Sequence, residues 1–177
     1  KARRSVPQKK VSAVYPIRSY DFGRTWTDLG PELTLYPGGW TEPNTTGYMN
    51  VLTDGRWMMP AYGSDSLTGQ TFPCVAFSND EGETWTQAES VPTQNTLTDI
   101  SCATEERCWI SGHDATILHS SDAGKTWNIQ YQDIDFDAPL LSIHMYDDNI
   151  GIAIGAFALS LRTLNGGEHW DYLFVSD

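Results

Sequence analysis

The feature that most constrains the fold of this chain is an octet of residues that occurs four times. The copies occupy residues 19–26, 78–85, 120–127 and 163–170. Successive copies begin 59, 42 and 43 residues apart. One motif repeated at a spacing near 43 residues predicts an array of similar small structural units rather than one irregular core.

The chemistry of the octet predicts a tight turn between two strands. The carboxylate at its third position accepts backbone N–H groups of the residues that follow. The glycine at its fifth position supplies a positive φ, which a residue with a Cβ resists. The turn residues and the tryptophans that close the octets are Asp21, Gly23, Trp26, Asp80, Gly82, Trp85, Asp122, Gly124, Trp127, Asn165, Gly167 and Trp170. A catalytic role for the aspartates is the alternative, but a turn accounts for every member of the octet.

The four tryptophans of the octets are expected to hold equivalent positions, largely buried between neighbouring units. A buried tryptophan removes roughly 150–250 Å² of surface from water. At about 25 cal/mol per Å², this is on the order of 4–6 kcal/mol of gross transfer free energy. The octet is therefore predicted to be a structural device that fixes a hairpin and anchors it to its neighbour.

The octets resemble the Asp-box repeat, also called the BNR repeat, with the pattern S-x-D-x-G-x-T-W. Three copies are complete, and the fourth replaces the serine, aspartate and threonine by Thr163, Asn165 and His169. The resemblance implies a β-propeller of four-stranded antiparallel blades. In that family the box joins the third and fourth strands of a blade and faces away from the ligand-binding side.

Two parts of the chain resemble different branches of this superfamily. Residues 47–85 resemble a sialidase-type blade, with 47–62 and 75–78 carrying the likeness. Residues 97–173 resemble the photosystem II assembly-factor-like repeat proteins, through segments at 99–102, 117–120, 139–143, 151–155 and 161–163. The first resemblance implies a glycoside-processing or sugar-binding domain, and the second implies a protein that assists assembly without catalysis.

Short β-rich runs separated by Gly, Asn, Asp and Pro predict an all-β chain with no helix longer than two turns. The chain is expected to be a single repeat domain over residues 1–177, with units near 11–28, 47–88, 97–131 and 139–175. Predicted strands in the last three units are 48–52, 56–62, 74–78, 84–87, 97–102, 108–112, 116–120, 126–130, 140–145, 150–155, 159–163 and 169–174. This makes about three and a half blades, whereas propellers usually close with four to eight. The chain is then a piece of a larger propeller, half of a two-chain ring, or an unusually small propeller.

The two longest insertions, residues 28–46 and 63–72, are expected to be loops on the rim opposite the Asp boxes. Long loops on a rigid scaffold commonly carry function. Aromatic side chains beside carboxylates suit a sugar or a peptide, although packed surface loops are the equal alternative. The predicted binding residues are Tyr36, Trp40, Glu42, Tyr62 and Asp65. Glu42 and Asp65 are also weak candidates for the carboxylate pair of a glycosidase.

A sialidase site inside this chain alone is disfavoured by the positions of the arginines. The resemblance to sialidases implies an arginine triad that clamps the substrate carboxylate, together with a Tyr/Glu nucleophile pair and an Asp acid. Bidentate arginines are needed for such a clamp. The arginines outside the first ten residues fall in or beside the boxes, or in links on the same rim, and are Arg18, Arg24, Arg56, Arg107 and Arg162.

Cys102 and Cys108 end one predicted strand and begin the next, so they face each other across a hairpin within reach of a disulfide. Closing this seven-residue loop contributes about 2.4 kcal/mol in the chain-entropy model. Two thiols are the alternative to this disulfide. The disulfide predicts an oxidising compartment, and hence an extracytoplasmic or secreted protein. Cys74 is expected to be buried in a strand.

The net charge of −12 disfavours nucleic acid and anionic membranes as partners. No long apolar run predicts membrane insertion, and no secretory leader is recognisable in this sequence. No cofactor or metal is predicted: Asp133, Asp135 and Asp137 lack the glycine and the final glutamate of an EF-hand, whose place His144 takes. They are better interpreted as a link between blades. Asn44 begins a glycosylation sequon that matters only in a eukaryotic secretory protein.

The preferred interpretation is a non-catalytic recognition or assembly propeller that binds a protein or glycan partner on the rim opposite the Asp boxes. One alternative is a sialidase-like glycoside hydrolase or a sugar-binding fragment. The other is a piece of a larger receptor or adhesin. A homodimer or missing blades would complete the ring in either case.

Overall fold

The computed structural model describes residues 17–28, 40–65, 68 and 70–173, with the course of the backbone alone for Asp28, residues 40–44 and Asp65. The described part is all β, as predicted, apart from one 3-10 turn at Ala156–Ala158. It contains four successive units of antiparallel strands, and the chain runs through each unit as a meander. Within the described residues no helix is long and apolar enough to cross a membrane.

The first and second units occupy the N-terminal half. The first unit pairs β1 (Ile17–Arg18) with β2 (Thr27–Asp28). In the second unit, β3 and β4 both pair with β5 on the same edge, so together they act as one interrupted first strand. The strands of the second unit are β3 (Trp40–Thr45), β4 (Asn50–Val51), β5 (Trp57–Asp65), β6 (Thr71–Ser78) and β7 (Thr86–Gln87).

The third and fourth units are regular four-stranded sheets. The strands of the third unit are β8 (Leu97–Cys102), β9 (Cys108–Gly112), β10 (Ile117–Ser120) and β11 (Asn128–Tyr131). Those of the fourth are β12 (Leu140–Met145), β13 (Gly151–Gly155), β14 (Ser160–Thr163) and β15 (Asp171–Tyr172). The predicted strands 97–102, 108–112 and 140–145 have the observed bounds.

The two predicted long loops are shorter than expected. The insertion at 28–46 ends in β3, and the insertion at 63–72 begins in β5 and ends in β6. The interpretation of 40–45 as loop was wrong because β5 extends to Asp65 and pairs with this segment. Pro43 is accommodated at a register shift between Thr41 and Asn44, where a residue without an N–H does not interrupt the ladder.

Each of the three complete Asp boxes joins the last two strands of its unit through the same set of hydrogen bonds. In the third box the Ser120 hydroxyl donates to Asp122 at 2.8 Å and accepts the N–H of Gly124 at 2.9 Å. Asp122 also accepts the N–H and the hydroxyl of Thr126. The glycine of each box has φ between +82° and +92°. The structural role predicted for the octet therefore accounts for every polar member of it.

The fourth box, which departs from the pattern at three positions, keeps most of these hydrogen bonds. Thr163 takes the place of serine and donates to Asn165 Oδ1 at 3.0 Å, while its hydroxyl accepts the N–H of Gly167 at 2.8 Å. The same Oδ1 accepts the N–H of His169 at 3.0 Å. A side-chain amide thus serves the turn as a carboxylate does, because the backbone bonds use one oxygen.

The last three units pack face to face, and the two seams between them each hold a hydrophobic cluster. We call the side of a sheet that meets the next unit along the chain its forward face, and the opposite side its rear face. Between the third and fourth units, Trp109 and Ile117 on the forward face of the third sheet pack with Leu140, Leu161 and Trp170 on the rear face of the fourth. Most of the free energy of these seams therefore comes from apolar burial.

A second seam joins the second and third units in the same way. Met58 and Val75 on the forward face of the second sheet pack with Ile110, Leu118 and Trp127 on the rear face of the third. The tryptophan of an Asp box thus belongs to the rear face of its own unit.

The prediction that the four box tryptophans are largely buried is correct for two of them, partly correct for a third and wrong for the fourth. Trp127 and Trp170 are 2% and 4% exposed, and Trp85 is half-buried against a cluster that includes Met59 and Cys74. Trp26 is 60% exposed, so the expectation that it is buried between units was wrong. Its position belongs to a rear face, and no sheet among the described residues precedes the first unit.

The predicted disulfide is present. Cys102 and Cys108 are directly paired at the ends of β8 and β9 and are covalently joined. Cys74 is buried in β6, as expected. The disulfide closes the hairpin that links the first two strands of the third unit.

We expect the double variant Cys102→Ser/Cys108→Ser to lose about 2.4 kcal/mol of unfolding free energy, because its unfolded state is no longer constrained by the small loop. This corresponds to a fall in Tm of roughly 5–10 °C for a chain of this size. Thermal unfolding followed by circular dichroism measures the shift. Dithiothreitol should lower the wild-type Tm by a similar amount and leave the double variant unchanged. Equal sensitivity of both proteins to the reductant would contradict this account.

The Asp boxes should also make stability depend on acid. Hydrogen bonds from the backbone and hydroxyl of Thr25 lower the pKa of Asp21 from 3.8 to about 2. The hydroxyl and backbone of Thr84 lower the pKa of Asp80 to about 2 in the same way. Because both pKa values are depressed by folding, the stability they contribute is present above pH 3.8 and is lost as the pH falls towards 2.

The double variant Asp21→Asn/Asp80→Asn tests this acid dependence. Asparagine keeps one acceptor oxygen, as Asn165 does in the fourth box, but it does not titrate. The fall in Tm between about pH 4 and pH 2 should therefore be shallower in the variant than in the wild type. Calorimetric scans across this range measure it, and parallel curves would show that these carboxylates are not the titrating groups.

Candidate functional site

The residues predicted to bind a partner gather at one end of the second sheet. Trp40 on β3 is the direct partner of Asp65 on β5, and Tyr62 pairs with Asn44 two positions along. Glu42 lies in the register shift of β3 between these pairs. This end is opposite the Asp box that joins β6 to β7. Tyr36 falls outside the described residues.

A cleft of about 320 Å³ lies where the first strands of three units meet. We call it the inner cleft. Its lining comes from the interruption between β3 and β4 and from the early parts of β8 and β12. The lining residues are Thr46, Gly47, Tyr48, Thr98, Asp99, Leu141 and Ser142. Sequence analysis did not identify these residues, because they come from three segments that are far apart in the chain.

A bulge at the same position in two units shapes the inner cleft. Pairing of β8 with β9 skips Thr98, and pairing of β12 with β13 skips Leu141. A bulge leaves its extra residue outside the ladder and bends the strand. Thr98 and Leu141 are 43 residues apart, as are Asp99 and Ser142, so this recurrence is the signal from which the cleft could have been found.

Asp99 is held by the neighbouring unit. It is 8% exposed, and its Oδ2 accepts the Ser142 hydroxyl at 2.7 Å and the N–H of Ile143 at 3.1 Å. Its Oδ1 accepts the N–H of Ile100 at 2.9 Å. A carboxylate with these partners joins the third and fourth units and positions Ser142 at the cleft wall.

The strands β8 and β12 are edge strands of their sheets, and we call these edges the inner edges. Further hydrogen bonds from side chains of the preceding unit cap them. Asn50 donates to the carbonyl of Ile100 at 2.6 Å, and Thr98 donates to the carbonyl of Leu140 at 2.6 Å. The Ser101 hydroxyl accepts the N–H of Met145 at 2.9 Å. Side chains of one unit thus satisfy backbone groups of the next, which fixes the walls of the inner cleft.

The second unit contributes a close backbone contact and an exposed aromatic ring to the inner cleft. A Cβ on Gly47 would collide with the backbone of Thr98 and Asp99, so this position requires glycine. Tyr48 follows directly and is 83% exposed. The Thr46 hydroxyl oxygen is buried and has no hydrogen-bond partner among the described residues. The cleft therefore offers an exposed aromatic ring beside an unsatisfied hydroxyl.

Two arginines, Arg18 and Arg56, are engaged on the rim that carries the Asp boxes. Arg18 donates to the carbonyl of Glu81 in the next box at 3.0 Å, and its guanidinium lies 4.5 Å from the ring centre of Trp57. Arg56 donates to the carbonyl of Ala123 in the next box at 3.1 Å. Each of these two arginines links its unit to the box of the following unit.

A second cleft, of about 510 Å³, opens on this same rim. Arg107 forms part of its lining, lies 3.6 Å from an oxygen of Asp148 and stacks over Trp109. The disulfide-closed hairpin supplies most of the other lining. Arg107 thus contributes to the contact between the third and fourth units, and none of these three arginines lines the inner cleft.

The described residues contain no cluster of three or more His, Cys, Asp or Glu side chains arranged to hold a metal ion. The three aspartates considered as a calcium loop lie in the link between the third and fourth units. Asp133 accepts the N–H of Phe136 at 3.2 Å and the hydroxyl of Tyr172 at 2.8 Å. These bonds give Asp133 a role in the link itself.

Four-stranded antiparallel sheets that are closed by Asp boxes and packed face to face define a protein of β-propeller type built from BNR repeats. The profile of the family described as "Photosynthesis system II assembly factor YCF48" matches residues 77–177, more than half of the chain. The chain therefore belongs to this BNR-repeat family.

Individual relatives connect the chain to two kinds of protein. It is 30% identical over 134 residues to a sialidase of Clostridium perfringens, an alignment that covers 66% of this chain and 34% of the sialidase. The chain spans about a third of the length of the curated relatives it matches. The sequence likeness to sialidases thus accompanies the likeness of residues 77–177 to the YCF48 family.

The solved structures that resemble this chain also include both a sialidase and YCF48. The Hadza microbial sialidase Hz136 superposes with a TM-score of 0.66 at 17% identity, covering 87% of this chain and 35% of that one. A structure of YCF48 bound to D1 peptide gives a TM-score of 0.50 at 16% identity, with 79% and 45% covered. At these identities the likeness establishes the fold.

Some residues of the inner cleft hold its strands in place, and others are available to contact a ligand. Mutation should distinguish these two kinds of residue. We expect Asp99→Ala to lower the free energy of unfolding by about 2–3 kcal/mol, because the Ser142 hydroxyl and the Ile143 N–H lose their acceptor. Tm should fall by roughly 5–10 °C. Tyr48→Ala removes an exposed ring and should shift Tm by less than about 2 °C. Thermal unfolding compares the two variants, and an unchanged Tm for Asp99→Ala would refute its positioning role.

Proposed function

We propose that this chain is a non-catalytic recognition propeller that binds an extended peptide segment of a protein partner at the inner cleft. The observation that carries the proposal is the cleft itself, at the meeting point of three units. Its volume of about 320 Å³ is at the small end of protein ligand sites. Tyr48 and Leu141 are exposed at its margin and offer apolar surface to a ligand.

The chemistry of the lining favours a peptide over an acidic sugar. Among the described lining residues the one charged group is Asp99, and hydrogen bonds from Ser142, Ile143 and Ile100 occupy its two oxygens. A carboxylate-bearing sugar needs cations at its site, but Arg18, Arg56 and Arg107 are used on the opposite rim. An uncharged or basic segment fits this lining, and the chain's net charge of −12 agrees with that choice.

The comparisons support the same proposal. The chain belongs to the YCF48 family, and one similar structure is YCF48 bound to D1 peptide. The earlier predicted residues Trp40, Glu42, Tyr62 and Asp65 lie on β3 and β5, towards the end of the second sheet opposite its Asp box, and we propose that they extend the contact surface. The Cys102–Cys108 disulfide supports an oxidising compartment outside the cytoplasm as the place of action.

A sugar-binding or glycoside-hydrolysing role is the second candidate, and the sequence likeness to the Clostridium perfringens sialidase favours it. Glu42 and Asp65 would be its carboxylates, placed on neighbouring strands by the register of β3 and β5. This candidate requires turnover of a glycoside, which the peptide proposal does not.

A parallel screen distinguishes the two candidates. The purified chain is panned against a phage-displayed library of random dodecapeptides, applied to a glycan array, and assayed with fluorogenic glycosides. We expect peptide ligands without glycoside turnover. Tyr48→Ala and Trp40→Ala should each weaken binding of a selected peptide at least tenfold, a loss of about 1.4 kcal/mol.

The matched control is Phe22→Ala, which removes an exposed aromatic ring from the Asp-box rim. It should leave peptide affinity unchanged. Loss of peptide affinity in Phe22→Ala, together with full affinity in Tyr48→Ala, would place the binding site on the Asp-box rim and refute the proposal. Glycan binding with turnover would replace it by the second candidate.

A further inference from the structure

The hydroxyl groups that the third and fourth units contribute to the inner cleft have their hydrogens committed within the protein. A hydroxyl carries one hydrogen to donate and two lone pairs that accept. The Ser142 hydroxyl donates to Asp99 at 2.7 Å, and the Thr98 hydroxyl donates to the carbonyl of Leu140 at 2.6 Å. The Ser111 hydroxyl, 2.9 Å from that of Thr98, is then the donor of their shared bond. Towards a ligand, Thr98 and Ser142 therefore offer lone pairs.

Asp99 adds a third acceptor and the charge of the inner cleft. An ionised carboxylate only accepts hydrogen bonds, at about four lone-pair sites. Ser142 and the N–H of Ile143 fill Oδ2, whereas Oδ1 receives the N–H of Ile100 and no other donor among the described residues. One acceptor site of Oδ1 is therefore left. Asp99 is 8% exposed, so its charge is screened less than that of a surface carboxylate.

The second unit contributes groups that are compatible with a cation. The ring of Tyr48 is 83% exposed, and the face of an aromatic ring attracts a cation within about 6 Å of its centre. The Thr46 hydroxyl, which has no partner among the described residues, can accept as well as donate. The described lining contains no lysine or arginine. These side chains together favour a positively charged group that carries hydrogens on nitrogen.

The state of the Asp99 carboxylate favours an ammonium over a guanidinium. A guanidinium presents its N–H groups as a planar fork that pairs with both oxygens of one carboxylate. Because Oδ2 already receives two hydrogen bonds, such a fork cannot engage both oxygens of Asp99. An ammonium is compact and donates three separate bonds. It can therefore use single acceptors on different side chains, as Thr98, Asp99 and Ser142 provide.

We propose that the inner cleft recognises a primary ammonium group of the bound peptide, either the side chain of a lysine or the amine at the N-terminus of the peptide. Thr98, Asp99 and Ser142 accept its hydrogens, and the ring of Tyr48 contacts its charge. A cation that leaves water loses hydration, and charge-assisted hydrogen bonds offset that loss. The inference rests on the proposed peptide binding for the source of the amine, and it adds the chemical group that anchors the peptide.

A titration with small amines tests the ammonium site without a peptide. n-Butylamine, which is an ammonium at neutral pH, is added to the nitrogen-15-labelled chain, and the backbone amide resonances are followed by NMR. We expect concentration-dependent shifts at Thr98, Ile100 and Ile143. n-Butyltrimethylammonium keeps the charge but has no N–H, and butyrate reverses the charge. Each should need at least a tenfold higher concentration for the same shift.

Two results of this titration would overturn the proposal. The first is the absence of shifts at these three amides with n-butylamine. The second is an equal response to n-butyltrimethylammonium, which would show that charge and the aromatic ring act without the hydrogen-bond acceptors.

A pair of isosteric variants distinguishes an acceptor from a residue that only joins two units. Thr98→Val removes a hydroxyl of the cleft together with its bond to the next unit. The matched control Thr53→Val removes a hydroxyl that bonds Glu105 of the next unit at 2.8 Å, outside the inner cleft. Thr98→Val should weaken n-butylamine binding at least fivefold, and Thr53→Val should leave it unchanged. Equal weakening in both variants would refute the acceptor role.

Thermal unfolding checks that each variant folds. If Thr98→Val does not fold, Ser142→Ala takes its place, because it also removes an acceptor of the cleft. It should weaken n-butylamine binding by a similar factor, and unchanged binding in a folded Ser142→Ala would contradict the proposal.

A dodecapeptide selected by panning identifies the source of the amine. Synthetic versions carry norleucine in place of every lysine, an acetylated N-terminus, or both changes. The change that removes the recognised amine should lower affinity at least tenfold, and arginine in place of that lysine should not restore it. A peptide that keeps its affinity after both changes, yet loses it in Tyr48→Ala, would refute the ammonium site and leave the proposed function standing. If panning selects no peptide, the proposed function fails, and the n-butylamine titration alone decides on the ammonium site.

Discussion

The structure depends on one hydrogen-bonded turn, in which a carboxylate oxygen receives the backbone N–H four residues after it. Asp21, Asp80 and Asp122 all make this bond at 2.8 or 2.9 Å. The bond fixes the direction in which the chain leaves the turn, and the next residue is the tryptophan. A polar interaction of modest strength thereby decides where a large apolar side chain is placed, and that placement supplies most of the free energy of the seams. The seams in turn position the inner strands whose side chains form the cleft.

The sequence predicted the repeated parts of the fold well, because each repeat contains its own local signal. The strands of the third unit are short β-rich runs that end at recognisable turns, so bounds such as 97–102 and 108–112 were correct. The disulfide followed from the same hairpin. Strand β3 was missed because Pro43, threonine and asparagine are typical of loops. Its pairing with β5 is a tertiary effect that local propensity does not report.

That the site lies on the rim opposite the boxes stays a prediction. The rim opposite the boxes follows from topology, and Trp40, Tyr62 and Asp65 do lie at that end of the second sheet. The inner cleft was missed, because residues near 47, 98 and 141 are brought together by the packing of three units rather than by spacing within one. Its one trace in the sequence is the 43-residue recurrence of the bulge positions Thr98 and Leu141, which requires knowledge of the register to interpret. Burial of Trp26 was predicted wrongly for a related reason, since the octet specifies a position in a seam but not whether the other half of the seam exists.

The hydrogen bonds that cap the inner edges of the sheets affect the tendency of this protein to aggregate. An uncovered strand edge is a template on which another chain can add hydrogen bonds, and it is a common origin of fibrous aggregates. Here Asn50, Thr98, Asp99 and Ser101 occupy backbone groups on the inner edges of the following units. Growth by strand addition is thereby obstructed at these positions. These edges are thus protected against the addition of a strand from another chain.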